Sequence, residues 1–402
     1  MKAVVFRGVG DIRLEDVSDP QIEAQTDAIV RITTSAICGT DLHMIRGTMP
    51  GMQPGTVLGH EGVGVVEEIG GDVRNLSVGE RVVIPSTIAC GVCSYCRAGY
   101  YAQCDNANPN GKRAGTAFYG GPQTTGPFHG LQAEKARIPF ASVNLVKLPD
   151  EVTDEQAILI SDIWPTGWFG AELSHAHPGS TVAVLGCGPV GQFVIASLKL
   201  MDVGRIFAID CVPSRLDMAR AQGAECINFD AEDPVETLLR LTDGIGVDRV
   251  VDAVGVDAMH AHHGPAAQNG DQSKFDQELQ EIAPKTNPQN GNWHPGDAPS
   301  QANEWAVEMV AKAGQIAIIG VYPETDRFFP IGKAMLKNLT LRMGNCHHRK
   351  YIPHLIELTR TGVFDPTRIL TQERPISDAI EAFKAFDRRE QGWVKVELKP
   401  RA

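Results

Sequence analysis

Cys90, Cys93, Cys96 and Cys104 stand in the pattern C-x2-C-x2-C-x7-C, in a stretch rich in Gly and Asn with little apolar material of its own. Four thiolates at such spacing close a tetrahedron around zinc and leave no coordination position open, which describes a structural ion. An iron–sulfur cluster is the other group that comparable spacings hold. Upstream, Cys38 in ICGTDLH precedes His60 in LGHEGVGVV. One thiolate and one imidazole are two of the three protein ligands of a catalytic zinc, which keeps a position for water or substrate. As a bare pair they more often serve as packing residues. Further on, TVAVL runs into Gly186-Cys187-Gly188-Pro189-Val190-Gly191 and then into a helical segment. In that G-x-G-x-x-G context the glycines permit a tight turn and let a pyrophosphate approach the N–H groups and positive dipole end of the helix. Asp210 ends the following strand, RIFAID. An acid there binds the adenosine ribose 2′-hydroxyl and repels a 2′-phosphate, so NAD is expected over NADP. Arg215, the nearest basic residue, is expected over the adenine or its ribose, or as a solvated arginine at a helix start.

These residues need elements to hold them, and 402 residues are enough for two or three domains. Up to about residue 149 the chain reads as short strands broken by Gly and Pro: AVVF, AIVRITTSAI, GVGVVEEIG, ERVVIP and FASVNLVKLP. After DEVTDEQAILISDIWPTGWFGAEL the texture changes. Strands TVAVLG, RIFAID, DRVVDAVG and QIAIIGV alternate with the helical stretches GPVGQFVIASLKLMDVG, PSRLDMARAQG and EWAVEMVAKAG, which predicts a doubly wound parallel sheet. Residues 256–303, rich in Ala, Gln, Asn, Pro and Gly, break this rhythm and read as an insertion; a structureless loop of that length is usually functional or an interaction element. The tail from 344 to 402 returns to mixed elements, with helices around YIPHLIELTRTG and ISDAIEAFKAF and a last strand in WVKVELKP.

Composition narrows the partners. With 43% hydrophobic and 21% charged residues the chain is an ordinary globular protein, and a net charge of −12 without a basic run argues against nucleic acid and anionic membrane. No stretch approaches the roughly 20 apolar residues of a membrane helix, and the N-terminus lacks a signal peptide's apolar core, so a cytoplasmic location is expected. Nine cysteines, four of them within fifteen residues, suit a metal site in a reducing compartment better than a disulfide framework.

Taken in order, ICGTDLH, GHEGVGVVEEIG, the four-cysteine lobe and GCGPVG resemble the zinc-dependent medium-chain alcohol dehydrogenases over nearly the whole chain. FHGLQAEKARIPFASVNLVKLP, LISDIWPTGW and NLTLRMGNCHHRKYIPHLIEL resemble the branch that contains glutathione-independent formaldehyde dehydrogenase and formaldehyde dismutase. The resemblance implies an α/β protein: a GroES-like, β-rich catalytic domain over 1–160 and 344–402 carrying the zinc lobe at 90–104, and a Rossmann NAD-binding domain over 161–343. It implies two zinc ions. Cys38 and His60 match the first two catalytic ligands, and the third falls on Asp162. The family's alcohol dehydrogenases have a cysteine there and the formaldehyde dehydrogenase branch has an aspartate; a hard oxygen in place of a soft thiolate leaves a more electrophilic metal. A helix cap beside Pro165 is the other reading of Asp162.

The resemblance also makes Glu61 a carboxylate that orients or approaches the zinc. Thr40 and His43 match a proton relay from the substrate oxygen to solvent, Thr166 matches a threonine packed on the nicotinamide, and Lys395 matches a basic residue for the pyrophosphate. Gly39 departs from the arginine common at its position. Trp164 and Phe128-His129 are candidates to line a substrate pocket or to be core. His260, His262, His263 and His294 could hold a further metal, though without fixed spacing. Cys187, Cys211, Cys226 and Cys346 read as incidental thiols.

The implied activity is NAD-linked interconversion of alcohols and aldehydes. Alternatives are a formaldehyde dehydrogenase or dismutase with retained NAD(H), whose insertion would lock the cofactor, and a non-catalytic nucleotide-binding relative, which would have lost zinc ligands. Small-molecule substrates and a homo-oligomer, a tetramer before a dimer, are expected.

Overall fold

The computed structural model describes residues 1–400 and divides into two compact units. The first comprises Met1–Pro165, Asn287–Trp293 and the tail from Asn345; the second comprises Thr166–Thr286 and His294–Gly344. The division falls after Pro165, inside the helix Ile163–Ser174, and not at residue 160. Asp162 therefore belongs to the β-rich unit, because the helix before it, Asp154–Ser161, packs on that unit's strands and buries Ala157 to Ser161.

The first unit is organised on the strand Ala28–Ile37, whose AIVRITTSAI is rich in β-branched residues that fit a pleated sheet. It pairs antiparallel with Gly62–Ile69, with Lys135–Ile138, and with Val396–Lys399 from the far end of the chain. Gly62–Ile69 pairs on with Arg81–Ile84, and Val396–Lys399 takes Gln372–Pro375 as a parallel neighbour. The C-terminal tail thus completes the N-terminal sheet, and this carries Lys395 to the strand end that leads into Cys38. Lys2–Gly8 and Asp11–Asp16 form a separate hairpin. FASVNLVKLP is not a strand: Ala141–Asn144 is a single helical turn whose Asn144 side chain bonds Ala89 on both sides, and only Val146–Lys147 pairs in the sheet.

The second unit is a six-stranded sheet in the order Glu225–Asn228, Arg205–Asp210, Thr181–Leu185, Val247–Asp252, Val310–Ile318, Thr340–Met343, with every pair parallel. This is the doubly wound order, with its reversal beside Thr181–Leu185. Alternate residues of that strand enter opposite cores. Val182 and Val184 pack with Val194, Ile195 and Leu198, whereas Ala183 and Leu185 pack with Phe207, Ile227 and Leu238. The segment read as one helix, EWAVEMVAKAG, divides: the helix is Gln301–Met309 and the strand begins at Val310, with a register break before Gln315.

The insertion is not structureless. It contains the helix Gln272–Ile282, capped at its start by Asp271 and buried along Phe275, Glu278 and Ile282. After it, residues 287–293 form part of the first unit. Trp293 is buried there in the cluster of Phe383, Phe386 and Leu398. Asn292 Nδ2 and the Trp293 N–H donate to Asp387 Oδ2, whose Oδ1 accepts from Arg46 at 2.9 Å.

Candidate active site

In the first unit, Cys38 ends the strand Ala28–Ile37 and starts the helix Gly39–Arg46. His60 and Glu61 precede the strand Gly62–Ile69, and Asp162 follows the helix Asp154–Ser161. These elements bring one ligand atom of each of the four residues within 4.8 Å of the others, all of them buried. Cys38 Sγ lies 3.6 Å and His60 Nε2 lies 3.3 Å from Asp162 Oδ2. Bond lengths for zinc to sulfur, nitrogen and oxygen put the edges of a tetrahedral site at roughly 3.3–3.6 Å, so this donor set fits one zinc ion. Glu61 Oε2 is buried with no hydrogen-bond partner, as suits a carboxylate beside a cation.

The electrostatics agree with a cation site. Burial acts to raise Asp162, yet bonds from His348 and His60 hold its carboxyl well below the usual range. Burial alone would lower His60, but Asp41 and Cys38 push it well up. Burial raises the Cys38 thiol. Glu61 is pushed up to about 7 by burial, against the pull of Lys395. Such a concentration of buried acids and thiol is costly without a cation.

Residues around the group orient it. Asp41 Oδ1 lies 3.3 Å from His60 Nδ1, while its Oδ2 accepts from the Cys38 N–H and from Gln132 Nε2. His348 Nε2 lies 2.6 Å from Asp162 Oδ1. Lys395 Nζ donates to Glu61 Oε1 at 2.6 Å and to the Ile37 carbonyl at 3.0 Å. The structure therefore commits Lys395, expected at a pyrophosphate, to the carboxylate of the metal group. Asp41 and His348 were missed in the sequence: each is an ordinary residue until the fold aims it.

Thr40 Oγ1 lies 3.8 Å from Cys38 Sγ. His43, expected to meet solvent, is 4% exposed, with Nδ1 2.9 Å from Thr48 Oγ1. Trp164 is fully buried against Phe364 and half-buried Phe128 packs on the core of the sheet, so both serve packing, whereas His129 is exposed and its Nδ1 accepts the Val57 N–H. Cys90, Cys93, Cys96 and Cys104 form a second group of close donors. Cys93 and Cys104 sulfurs are 3.9 Å apart, and the sulfurs accept N–H bonds from Cys90, Val92, Cys96 and Asn106. Burial opposes ionisation of Cys93, but the Cys96 and Asp105 amides bring it down to about 7. The insertion histidines belong to no such group among the described residues.

In the second unit the strand Thr181–Leu185 enters the glycine turn and the helix Pro189–Leu200 follows, with Gly188 at its cap and Pro189 and Val190 in its first turn. Gly186 has φ +82°, and a Cβ on Gly191 would stand 1.9 Å from the Gly186 carbonyl oxygen. Both are required by the backbone. Gly188 is different: its missing Cβ faces open space, with Arg215 Nη1 at 3.9 Å. Asp210 Oδ2 accepts the Cys187 N–H and Oδ1 accepts those of Cys211 and Val212, all at 2.8 Å. Arg215 is mostly buried, with Nη1 3.9 Å from Asp210 Oδ2, and is not a solvated helix-start residue. Thr166 lies in this unit, on the helix Ile163–Ser174.

Residues 24–150 match the alcohol dehydrogenase GroES-like domain and residues 189–270 match the zinc-binding dehydrogenase family. Over 404 aligned residues, covering all of both chains, the protein is 38% identical to the uncharacterized zinc-type alcohol dehydrogenase-like protein AdhB of Bacillus subtilis. The chain belongs to the zinc-dependent medium-chain alcohol dehydrogenases. Among solved structures of this family, the alcohol dehydrogenase TADH from Thermus sp. ATN1 superposes with a TM-score of 0.78 at 33% identity, covering 99% of each chain. The glutathione-independent formaldehyde dehydrogenase of Pseudomonas aeruginosa is 39% identical over 216 residues, 52% of this chain and 53% of that one. As a member of this zinc-binding dehydrogenase family the protein is an oxidoreductase with a GroES-like part and a Rossmann part. No helix among the described residues is long and apolar enough to cross a membrane.

Proposed function

We propose that Cys38, His60 and Asp162 hold a catalytic zinc, that Cys90, Cys93, Cys96 and Cys104 hold a structural one, and that the enzyme uses NAD to interconvert alcohols and aldehydes. The convergence of three unlike donors at tetrahedral edge distances carries this reading. Zinc bound there supplies Lewis acidity that makes an alcohol proton easier to lose. Bound NAD supplies the hydride acceptor. The chain does the rest. Asp41 and His348 hold the ligands in place, Lys395 neutralises Glu61, and Thr40 and His43 carry the proton away from the substrate oxygen. The first turn of Pro189–Leu200, with Gly186, Gly188 and Gly191, receives the pyrophosphate. Asp210 binds the adenosine ribose, with Arg215 beside it, and Thr166 packs on the nicotinamide.

Metal analysis with steady-state kinetics tests this. Wild type should hold two zinc ions per chain and reduce NAD with alcohols. Cys38→Ser should hold one, stay folded and lose turnover. Two ions retained in Cys38→Ser would sink the ligand assignment. Asp210→Ser should raise the KM for NAD by more than tenfold and improve NADP.

A second reading, formaldehyde dehydrogenase or dismutase, is favoured by the aspartate at the third ligand position and the partial likeness to the Pseudomonas enzyme. Labelled formaldehyde given to zinc-loaded protein without added NAD decides it. Equal formate and methanol would establish dismutation by retained cofactor; no turnover would remove the dismutase and leave a dehydrogenase with exchangeable NAD, whose preference for formaldehyde or for larger alcohols is then read with NAD added.

No disulfide joins any of the nine cysteines, which supports a reducing, cytoplasmic setting. A homo-oligomer, tetramer before dimer, is supported by exposed Ile331, Met335, Leu336 and Met343 beside and on the sheet's edge strand Thr340–Met343. Light scattering that returned a monomer would remove it.

A further inference from the structure

An aspartate and a cysteine in the same ligand position pose different problems. A thiolate offers one donor atom, whereas a carboxylate offers two oxygens on a rotatable bond, and something must select between them. Here Oδ2 faces Cys38 Sγ at 3.6 Å and His60 Nε2 at 3.3 Å, while Oδ1 is 2.6 Å from His348 Nε2. His348 is itself held from behind: its Nδ1 is 3.1 Å from Thr87 Oγ1, and that hydroxyl is 3.4 Å from the Cys346 carbonyl. The imidazole opens the helix His348–Arg360 on the same face as the buried Tyr351, Ile352, Leu355, Ile356 and Thr359. The helix packs against the helix Asp154–Ser161, which ends at Asp162, and the His348 ring is buried.

We propose that His348 is a positioning residue for the metal: by donating from Nε2 to Asp162 Oδ1, with Thr87 holding Nδ1, it fixes Oδ2 as the ligand atom. This rests on the assignment of Asp162 as a zinc ligand. Hydrogen bonds of this kind typically change metal affinity by about 10–100-fold. A histidine that merely filled space would leave the metal's release rate unchanged.

The test is zinc release from the holoenzyme to excess chromophoric chelator, followed in time. The ion absent from Cys38→Ser identifies the catalytic phase. In His348→Leu that phase should be about 10–100-fold faster, with the four-cysteine phase unchanged, and His348→Gln, whose amide N–H reaches the same place, should restore it to within a few-fold. Thr87→Val, nearly isosteric, should speed release in the same direction and keeps the test open should His348→Leu fail to fold. In an Asp162→Cys background, where one sulfur leaves nothing to select, His348→Leu should have no effect on release. Wild-type release rates in both His348→Leu and Thr87→Val would overturn the proposal while leaving Asp162 a ligand. If wild type holds no ion that Cys38→Ser removes, the ligand assignment fails first and this inference falls with it.

Discussion

Lys395 Nζ and Glu61 Oε1 lie 2.6 Å apart with neither side chain exposed at all, a fully enclosed ion pair that joins the last strand of the chain to the metal group. Removing one member of such a pair strands a buried charge at a cost of about 3–5 kcal/mol, much more than the pair adds over an apolar replacement. Lys395→Met should lower unfolding free energy by that order, and Glu61→Gln with Lys395→Met should recover more than half of it. Urea titrations of the zinc-loaded proteins measure this, and additive losses in the double variant would contradict it.

The four-cysteine lobe has little core beyond its sulfurs. Cys96→Ser should cost one zinc per chain and open the lobe to protease at exposed Arg97, leaving the second unit intact. Metal analysis with limited digestion reads both; an undigested lobe that has lost its zinc would show that the ion does not fold it.

Two glycines of the same turn should respond in opposite ways. Gly191→Ala drives a methyl against the Gly186 carbonyl and should lower Tm by several degrees. Gly188→Ala meets open space, so its Tm should stay put while NADH binding, followed by calorimetry, weakens at least tenfold. A stable Gly191→Ala variant would mean that the turn relaxes.

Asp252 provides a pH signature in the second unit. Burial raises its carboxyl above 3.8 despite bonds from the Val254 and Gly255 N–H groups and the Tyr322 hydroxyl. The folded protein therefore holds this proton more tightly than the unfolded chain does. That contribution is complete below the unfolded value and is lost as pH rises through the folded one. Relative to Asp252→Asn, wild type should gain stability as pH falls from about 7 to about 4. Parallel denaturation midpoints across that range would refute it.

The parts legible in the sequence are those whose residues are neighbours in it. Cys90 to Cys104 and Gly186 to Gly191 each lie within one short stretch of chain, so spacing alone carries the geometry. Cys38, His60 and Asp162 needed a family pattern, because no period links them. His348 was out of reach: it meets Asp162 across 186 residues, and a histidine at a helix start has no distinguishing spacing. Lys395 was assigned the wrong neighbour because its strand pairs with residues over 300 positions away. Local misreadings had local causes. FASVNLVKLP mixes apolar and β-branched residues as a strand does, yet its first half forms the helical turn Ala141–Asn144, whose Asn144 side chain bonds across to Ala89.

The excursion of residues 287–293 changes how the molecule can be taken apart. With the first unit already split between the two ends of the chain, this short segment adds a third piece to it, so the polypeptide passes between units four times. In chimaeras that exchange nucleotide-binding halves among relatives, cuts at Pro165 and Asn345 alone would remove Trp293 from the core and Asn292 from Asp387, leaving that carboxylate to Arg46. Such a graft inherits a hole in the half it meant to preserve, and residues 287–293 must stay with the recipient.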